Sequence, residues 1–196
     1  MIKRPVLFVL LMLAVLISAC GDDDSSPDYI RENVEVDLTE TFTDGEFSVQ
    51  HPVGWAVAYD PLEGVTLASS QAALDAFNAS AGPTFDGIAA DSLVIDVAAL
   101  PLRVEQGTPA DIFAGIAAAD DAGLAAGEPT DITAGAYAGL RAPLEFAGSA
   151  GDGIGDLYVL RADDDRILLG IAVATGNLNQ MLVEEVIASL QLPPAQ

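Results

Sequence analysis

Apolar and polar residues alternate early in the chain in a pattern that predicts two strands joined by a tight corner. Residues 47–51 alternate between apolar and polar side chains, as is typical of a half-buried strand. Pro52 has no backbone N–H to donate, and Gly54 allows the chain to turn. A second alternating run begins at Trp55. This segment contains the only tryptophan and, at His51, the only histidine, and it is predicted to begin the folded domain.

Further strands and helices are predicted along the rest of the chain, because period-2 and helical patterns follow one another as far as the C-terminal prolines. Helix starts are indicated by Ser69 and Ser70, by Thr108 followed by a proline, and by Asn177 with Gln180 as a capping pair. Consecutive hairpin-like strands with inserted helices predict an α+β fold, a mainly antiparallel β-sheet flanked by helices on both faces. Strands are expected at 64–69, 92–100, 131–134, 137–146, 156–162 and 166–175, and helices at 71–77, from 108 onward, and near 178–190.

The first 19 residues have the pattern of a bacterial export signal. Lys3 and Arg4 precede an apolar run that is too short to span a bilayer comfortably, and small residues follow just before Cys20. The Ile-Ser-Ala-Cys ending resembles the lipobox of bacterial lipoproteins, which implies a signal peptide at 1–19 and acylation of Cys20. The alternative is an ordinary secretory signal cleaved near Ala19, which leaves Cys20 as a free thiol. Because Cys20 is the only cysteine, an intramolecular disulfide is impossible.

The predicted domain organisation follows from the distribution of charge after this cysteine. Residues 20–40 are interpreted as an acidic spacer, 41–192 as one α+β domain, and 193–196 as a tail. Loss of the two basic residues of the signal leaves five arginines and no lysine against 30 acids, a formal charge of −25. Such a charge repels phosphates, so nucleic acid binding is not expected, and the absence of lysine excludes Schiff-base chemistry.

Residues able to carry catalysis or bind metals are few. His51 is interpreted as a structural histidine, since no nucleophile motif accompanies it, and a zinc site of nitrogen and sulfur ligands cannot be assembled. Calcium sites are conceivable at 150–156 or 163–165, although a glycine loop and a solvated turn are the simpler interpretations. No metal or organic cofactor is expected. A pair of carboxylates acting as in a glycosidase remains open, because that chemistry needs only two acids at the right separation.

Three segments resemble the PsbP-like family, including its bacterial lipoprotein members. They are the Phe-x-Val-x-x-Pro-x-x-Trp opening at 47–55, the strand at 65–69 and the closing Ile-Ala-Ser-Leu at 187–190, and the resemblance covers about 42–192. It implies an antiparallel sheet between helices, an α/β/α sandwich, and an accessory or binding role in place of catalysis.

Together these features predict a binding or accessory lipoprotein, not an enzyme, held to the bacterial cell membrane by lipid on Cys20 and facing the extracytoplasmic side. Its contact surface is expected on the loops at 79–91 or 148–156, since recognition commonly lies on long loops carried by a rigid sheet. The alternative function is that of a secreted hydrolase using carboxylates.

Overall fold

The computed structural model describes residues 29–79, 88–101, 108–118, 125–146, 153–163 and 166–194. Strands and helices follow in this order: β1 Arg31–Glu32, β2 Glu40–Asp44, β3 Phe47–His51, β4 Ala56–Asp60, β5 Gly64–Ala68, α1 Gln71–Ala79, β6 Leu93–Pro101, α2 Pro109–Ala118, β7 Ala125–Ala126, β8 Thr130–Ala134, β9 Tyr137–Phe146, β10 Gly153–Arg161, β11 Arg166–Ala174, β12 Leu178–Asn179 and α3 Gln180–Ala188.

One large antiparallel sheet organises the domain. Seven of its eight strands run in the order β4-β5-β6-β11-β10-β9-β7, and β8 also pairs with β9. A separate hairpin joins β2 to β3, and β1 forms a short parallel pair with β12. The predicted α+β class with a mainly antiparallel sheet is confirmed.

The corner predicted at 47–59 is present. Strand β3 buries its odd-numbered side chains, and Gly54 adopts a φ of +80°, a conformation that favours glycine. Trp55 is partly buried against the main core, as the alternation suggested. Phe47 stacks on Tyr59 with ring centroids 4.0 Å apart, so the β2–β3 hairpin is packed onto β4.

The buried side chains fall into three clusters. The largest joins β5, β6, β10 and β11 to α3 and contains Tyr158, Leu160 and Val186. A second joins α1 to β6 and β11, and a third joins Phe113 of α2 to Val159 of β10. Each helix therefore gains its stability mainly by covering apolar side chains of the sheet.

The boundary predicted at residue 40 between spacer and domain is wrong, because ordered structure begins earlier. Strand β1 pairs with β12, and Leu178 donates its backbone N–H to the carbonyl of Ile30. Tyr29, Val36 and Leu38 pack against the main core. The alternation of apolar and polar residues is weak in residues 29–40, so only their acidic composition was informative, and it indicated a linker.

The N-cap predicted for the last helix is also wrong. Asn179, not Asn177, caps α3, and its side chain accepts a hydrogen bond from the backbone N–H of Leu182. The side-chain oxygen of Asn177 instead accepts from the backbone N–H of Ile30. Gln180 is engaged elsewhere, with its side-chain amide donating to Asp156. Tertiary contacts with the N-terminal segment therefore move the helix start by two residues from the predicted cap.

Candidate functional site

The predicted lipid site, Cys20, lies outside the described residues, as does most of the two predicted contact loops. Residues 80–87 of the first loop and 148–152 of the second are not described. Within the described part of the chain, none of the helices has the length and apolar composition needed to cross a bilayer.

His51 is placed where a structural histidine would be expected. Its side chain is buried, and its Nδ1 lies 3.0 Å from the backbone carbonyl oxygen of Pro52. The carboxylate of Glu40 is 3.8 Å from the same nitrogen and also accepts from the backbone N–H of Gly54. The ring thus fixes the corner between β3 and β4.

The calcium interpretation of 150–156 is contradicted at its last residue. Asp156 lies inside β10, which begins three residues earlier than predicted, and its side chain is fully buried. In the second candidate, Asp163 forms an ion pair with Arg166 at 2.6 Å. Across the described ranges, no three histidine, cysteine, aspartate or glutamate side chains converge as a metal site would require.

Asp156 is instead held by the N-terminal segment. The Nε of Arg31 lies 3.1 Å from its Oδ1, and the side-chain amide of Gln180 donates to its Oδ2 at 2.8 Å. A terminal guanidinium nitrogen of Arg31 donates to the backbone carbonyls of Leu144 and Gly155 at 3.1 and 2.9 Å. Arg31, Asp156 and Gln180 are called the latch below. The latch ties β1 to β9, β10 and α3 through one buried carboxylate.

The hydroxyl of Tyr158 is buried next to the latch. Its oxygen has no hydrogen-bond partner among the described residues, and the negative charge of Asp156 acts on its ionisation. Burial, and then the charge of Asp156, raise the pKa of Tyr158 well above its ordinary value. On the neighbouring strand Arg141 binds Glu184 of α3 at 2.6 Å. The two arginines therefore balance the two carboxylates between this part of the sheet and α3.

A second unusual acid is Asp96, in the middle of β6. Its carboxylate accepts a hydrogen bond of 2.6 Å from the hydroxyl of Thr66 on the adjacent strand. Burial raises its pKa to about 6, the Thr66 hydrogen bond opposes this rise, and Glu63 adds to it by repulsion. The residue nevertheless keeps partial exposure, so a proton can be exchanged with solvent. Asp96 is therefore a carboxyl that titrates closer to neutral pH than an ordinary aspartate.

The edge of β4 that pairs with no strand of the described residues forms a third feature, here called the β4 edge surface. It comprises Ala56–Asp60, the turn residues Leu62 and Glu63, and Asp44 from the facing hairpin. Asp44 is paired with Phe47 across the hairpin, and Phe47 stacks on Tyr59. Burial, followed by the charges of Asp44 and Asp60, raises the pKa of Tyr59. Leu62 is 81% exposed. The surface therefore combines apolar and acidic groups along an edge strand.

Sequence reasoning missed the latch, Asp96 and the β4 edge surface. The latch joins residues 125 positions apart, and no local pattern marks such a pair. An aspartate within the apolar run 93–97 was a visible signal for Asp96, since a charged residue in a central strand requires a partner.

Comparisons with known proteins support the fold alone. No known protein family and no curated protein matches the sequence. A crystal structure of a protein from Bacteroides thetaiotaomicron VPI-5482 is similar, with a TM-score of 0.52 and 11% sequence identity. The similarity covers 80% of this chain and 49% of that chain, so this chain spans about half the length of that protein. The structural similarity supports the α+β architecture. At this low sequence identity it indicates nothing about the activity of this chain.

Proposed function

We propose that this protein is a lipoprotein, tethered to the bacterial cell membrane through Cys20 on the extracytoplasmic side, whose domain acts as a binding or accessory module. The observation that carries the proposal is the way the chain is fastened just after the predicted tether. Arg31 binds the buried Asp156 and β1 pairs with β12, so a pull on the N-terminal segment is transmitted directly to the core. A chain leading from the membrane would thus enter the domain through a segment that is bound to its core.

The charge distribution supports a binding role outside the cytoplasmic membrane. Most carboxylates have no cationic partner among the described ion pairs, whereas Arg31, Arg141 and Arg166 each face an acid. An acidic surface on a short tether is repelled by anionic headgroups, and it therefore holds the domain away from the bilayer.

We also propose that the helices cover both faces of the sheet in the PsbP-like α/β/α arrangement. Neighbouring residues of β10 support this: Tyr158 and Leu160 belong to the cluster with α3, while Val159 packs with Phe113 of α2. Successive side chains of a strand point to opposite faces. A sandwich of this kind leaves the sheet edges and loops for recognition.

The alternative, a hydrolase using carboxylates, is favoured by one observation. Asp96 has a pKa raised to about 6, as a general acid at neutral pH requires, and the negative charge of Glu63 acts on it. Hydrolysis of a glycoside substrate by the purified protein, lost in Asp96→Asn, would establish this alternative over a pure binding role.

The tether is tested by changing Cys20→Ser in cells fed labelled palmitate. We expect the label to disappear from the protein and cleavage before residue 20 to fail, because a Ser hydroxyl does not replace the acylated thiol. Ser26→Ala, in the predicted spacer, is the matched control and should leave labelling and fractionation unchanged. A Cys20→Ser protein that keeps the label, or that is still processed and remains membrane-bound as before, would refute the proposal.

A further inference from the structure

The outer edge of β4 is unpaired within the described residues. Strand β4 pairs with β5 on one side, and no strand of the described ranges pairs with its other side. The backbone N–H and C=O groups of alternate residues therefore face outward, as on any edge strand. Edge strands commonly carry lysine, proline or an inward-pointing charge that discourages pairing with another chain. From Ala56 to Tyr59 the edge has none of these.

The side chains around this edge have the composition of a docking surface. Tyr59 stacks on Phe47 and is therefore held rigidly, and Leu62 projects from the adjoining turn with 81% exposure. Asp44, Asp60 and Glu63 surround this apolar strip and are exposed. Fixed aromatic groups within a polar rim favour binding, because little side-chain freedom is lost on association.

The charge of this part of the molecule is uniformly negative. The chain has no lysine or arginine between Arg31 and Arg103, a span that contains β2 to β6. The arginines of the described ion pairs bind acids elsewhere, namely Asp156, Glu184 and Asp163. None of these pairs neutralises an acid of the β4 edge surface.

From these observations we infer that the β4 edge surface binds a basic, extended segment of a partner protein, which adds to the sheet as a further antiparallel or parallel strand. Main-chain hydrogen bonds to β4 provide affinity, and Asp44, Asp60 and Glu63 select lysine or arginine side chains. This inference deepens the proposed function and rests on it, since it names the class of partner that the tethered module captures. It places the contact on an edge strand in addition to the predicted loops.

A second copy of this chain fits the surface poorly. Pairing of two β4 edges would make two copies of the same acidic surface, with Asp44, Asp60 and Glu63, face each other, and like charges across an interface are unfavourable. A partner with positive charge replaces this repulsion with an attraction that weakens as salt is added.

The experiment uses the full chain purified in detergent and a short fluorescent peptide in which lysine alternates with valine. Two control peptides accompany it: one with all backbone nitrogens methylated, and one with glutamate in place of lysine. The test variant is Asp60→Asn with Glu63→Gln. The first of these changes keeps the side-chain oxygen that accepts from the backbone N–H groups of Leu62 and Glu63 in the turn. The matched control is Glu128→Gln with Asp131→Asn, the same charge change at the opposite edge.

We expect the test variant to bind the lysine peptide about tenfold more weakly and the control variant less than about twofold more weakly. The methylated and glutamate peptides should not bind. In the unmodified protein, the peptide should slow hydrogen exchange of the Ala56–Asp60 amides, a readout that does not depend on any variant folding. Any one of four results would overturn the inference. They are equal weakening of binding in both variants, binding of the methylated peptide, unchanged hydrogen exchange of the Ala56–Asp60 amides, and stronger dimerisation of the test variant.

Failure of the inference and failure of the proposed function give different results. If Cys20 is acylated and the edge amides show no protection, the β4 edge surface is wrong and the tethered module stands. If the edge is protected and Cys20 is not acylated, the tether is wrong.

Discussion

At the scale of single residues, the fully buried Asp156 and the partly exposed Asp96 differ in how their charges are compensated. Asp156 is fully buried and faces a guanidinium, which compensates its charge directly. Asp96 faces only a neutral hydroxyl, from Thr66, and the nearby Glu63 repels it. Burial without a cation favours the protonated acid, so Asp96 is the residue at which stability should depend most on pH near neutrality.

Asp96→Asn should therefore stabilise the domain at pH 8 and have little effect at pH 4. Between the ordinary value of 3.8 and the raised pKa of about 6, the unfolded chain releases a proton that the folded chain keeps. Stability consequently falls as pH rises through this range, and the penalty is complete above it. Since Asp96 is partly exposed, we expect a gain of about 1–3 kcal/mol at pH 8, measured by urea unfolding.

Asp75→Asn on the exposed side of α1 is the matched control, because Asp75 carries the same charge without being enclosed. Its variant should show no gain that grows between pH 4 and pH 8. If the difference in unfolding free energy between Asp96→Asn and the unmodified protein were the same at pH 4 and pH 8, the raised pKa of Asp96 would be contradicted.

At the scale of elements, the sequence predicts strands and helix starts well wherever local chemistry decides them. The hydroxyl of Ser70 accepts from the backbone N–H of Ala73, and Thr108 with Asp111 caps α2, as their positions suggested. The α3 cap failed because Asn177 binds the backbone of Ile30, a contact made only in the folded chain. Strand β1 could not be predicted for the same reason, since its partner β12 lies far along the sequence.

The latch is the contact through which β1 stabilises the other elements, and Arg31→Ala should show its importance. Removal of the guanidinium leaves the buried carboxylate of Asp156 with only the amide of Gln180, so we expect a loss of about 3 kcal/mol in unfolding free energy. Arg141→Ala, which breaks the more exposed pair with Glu184, should cost about 1 kcal/mol or less.

The double variant Arg31→Ala with Asp156→Asn separates the charge from other effects. If an unpaired buried carboxylate is the cause, this variant should recover part of the loss in urea unfolding. Equal stability of Arg31→Ala and Arg141→Ala would mean that the latch does not hold the N-terminal segment to the core.

At the scale of the whole molecule, an apolar core lies beneath a surface on which most acids have no arginine partner among the described ion pairs. The composition alone predicted an excess of acidic over basic residues. It could not predict where in the fold the excess lies, because the arginine pairs join residues distant in sequence, such as Arg141 and Glu184. Among the described residues the arginines lie on β1, β9, β10 and β11, whereas β2 to β6 contain acids but no arginine or lysine. The β4 edge surface could not be predicted from the sequence either, since an edge strand is defined only once every strand has found its neighbours.

The net charge gives the last prediction, which concerns salt. With a formal charge of −23 for the full sequence at pH 7, repulsion between carboxylates opposes the compact state more than the expanded one. Raising potassium chloride from about 10 mM to about 0.5 M shortens the Debye length from roughly 30 Å to below about 5 Å. The melting temperature at pH 8 should therefore rise by a few degrees, roughly 1 kcal/mol for a domain of this size. Asp60→Asn with Glu63→Gln should show a smaller rise, because it removes two of the repelling charges. A melting temperature that falls with salt would mean that the arginine pairs, and not the unpaired acids, dominate the electrostatic free energy of folding.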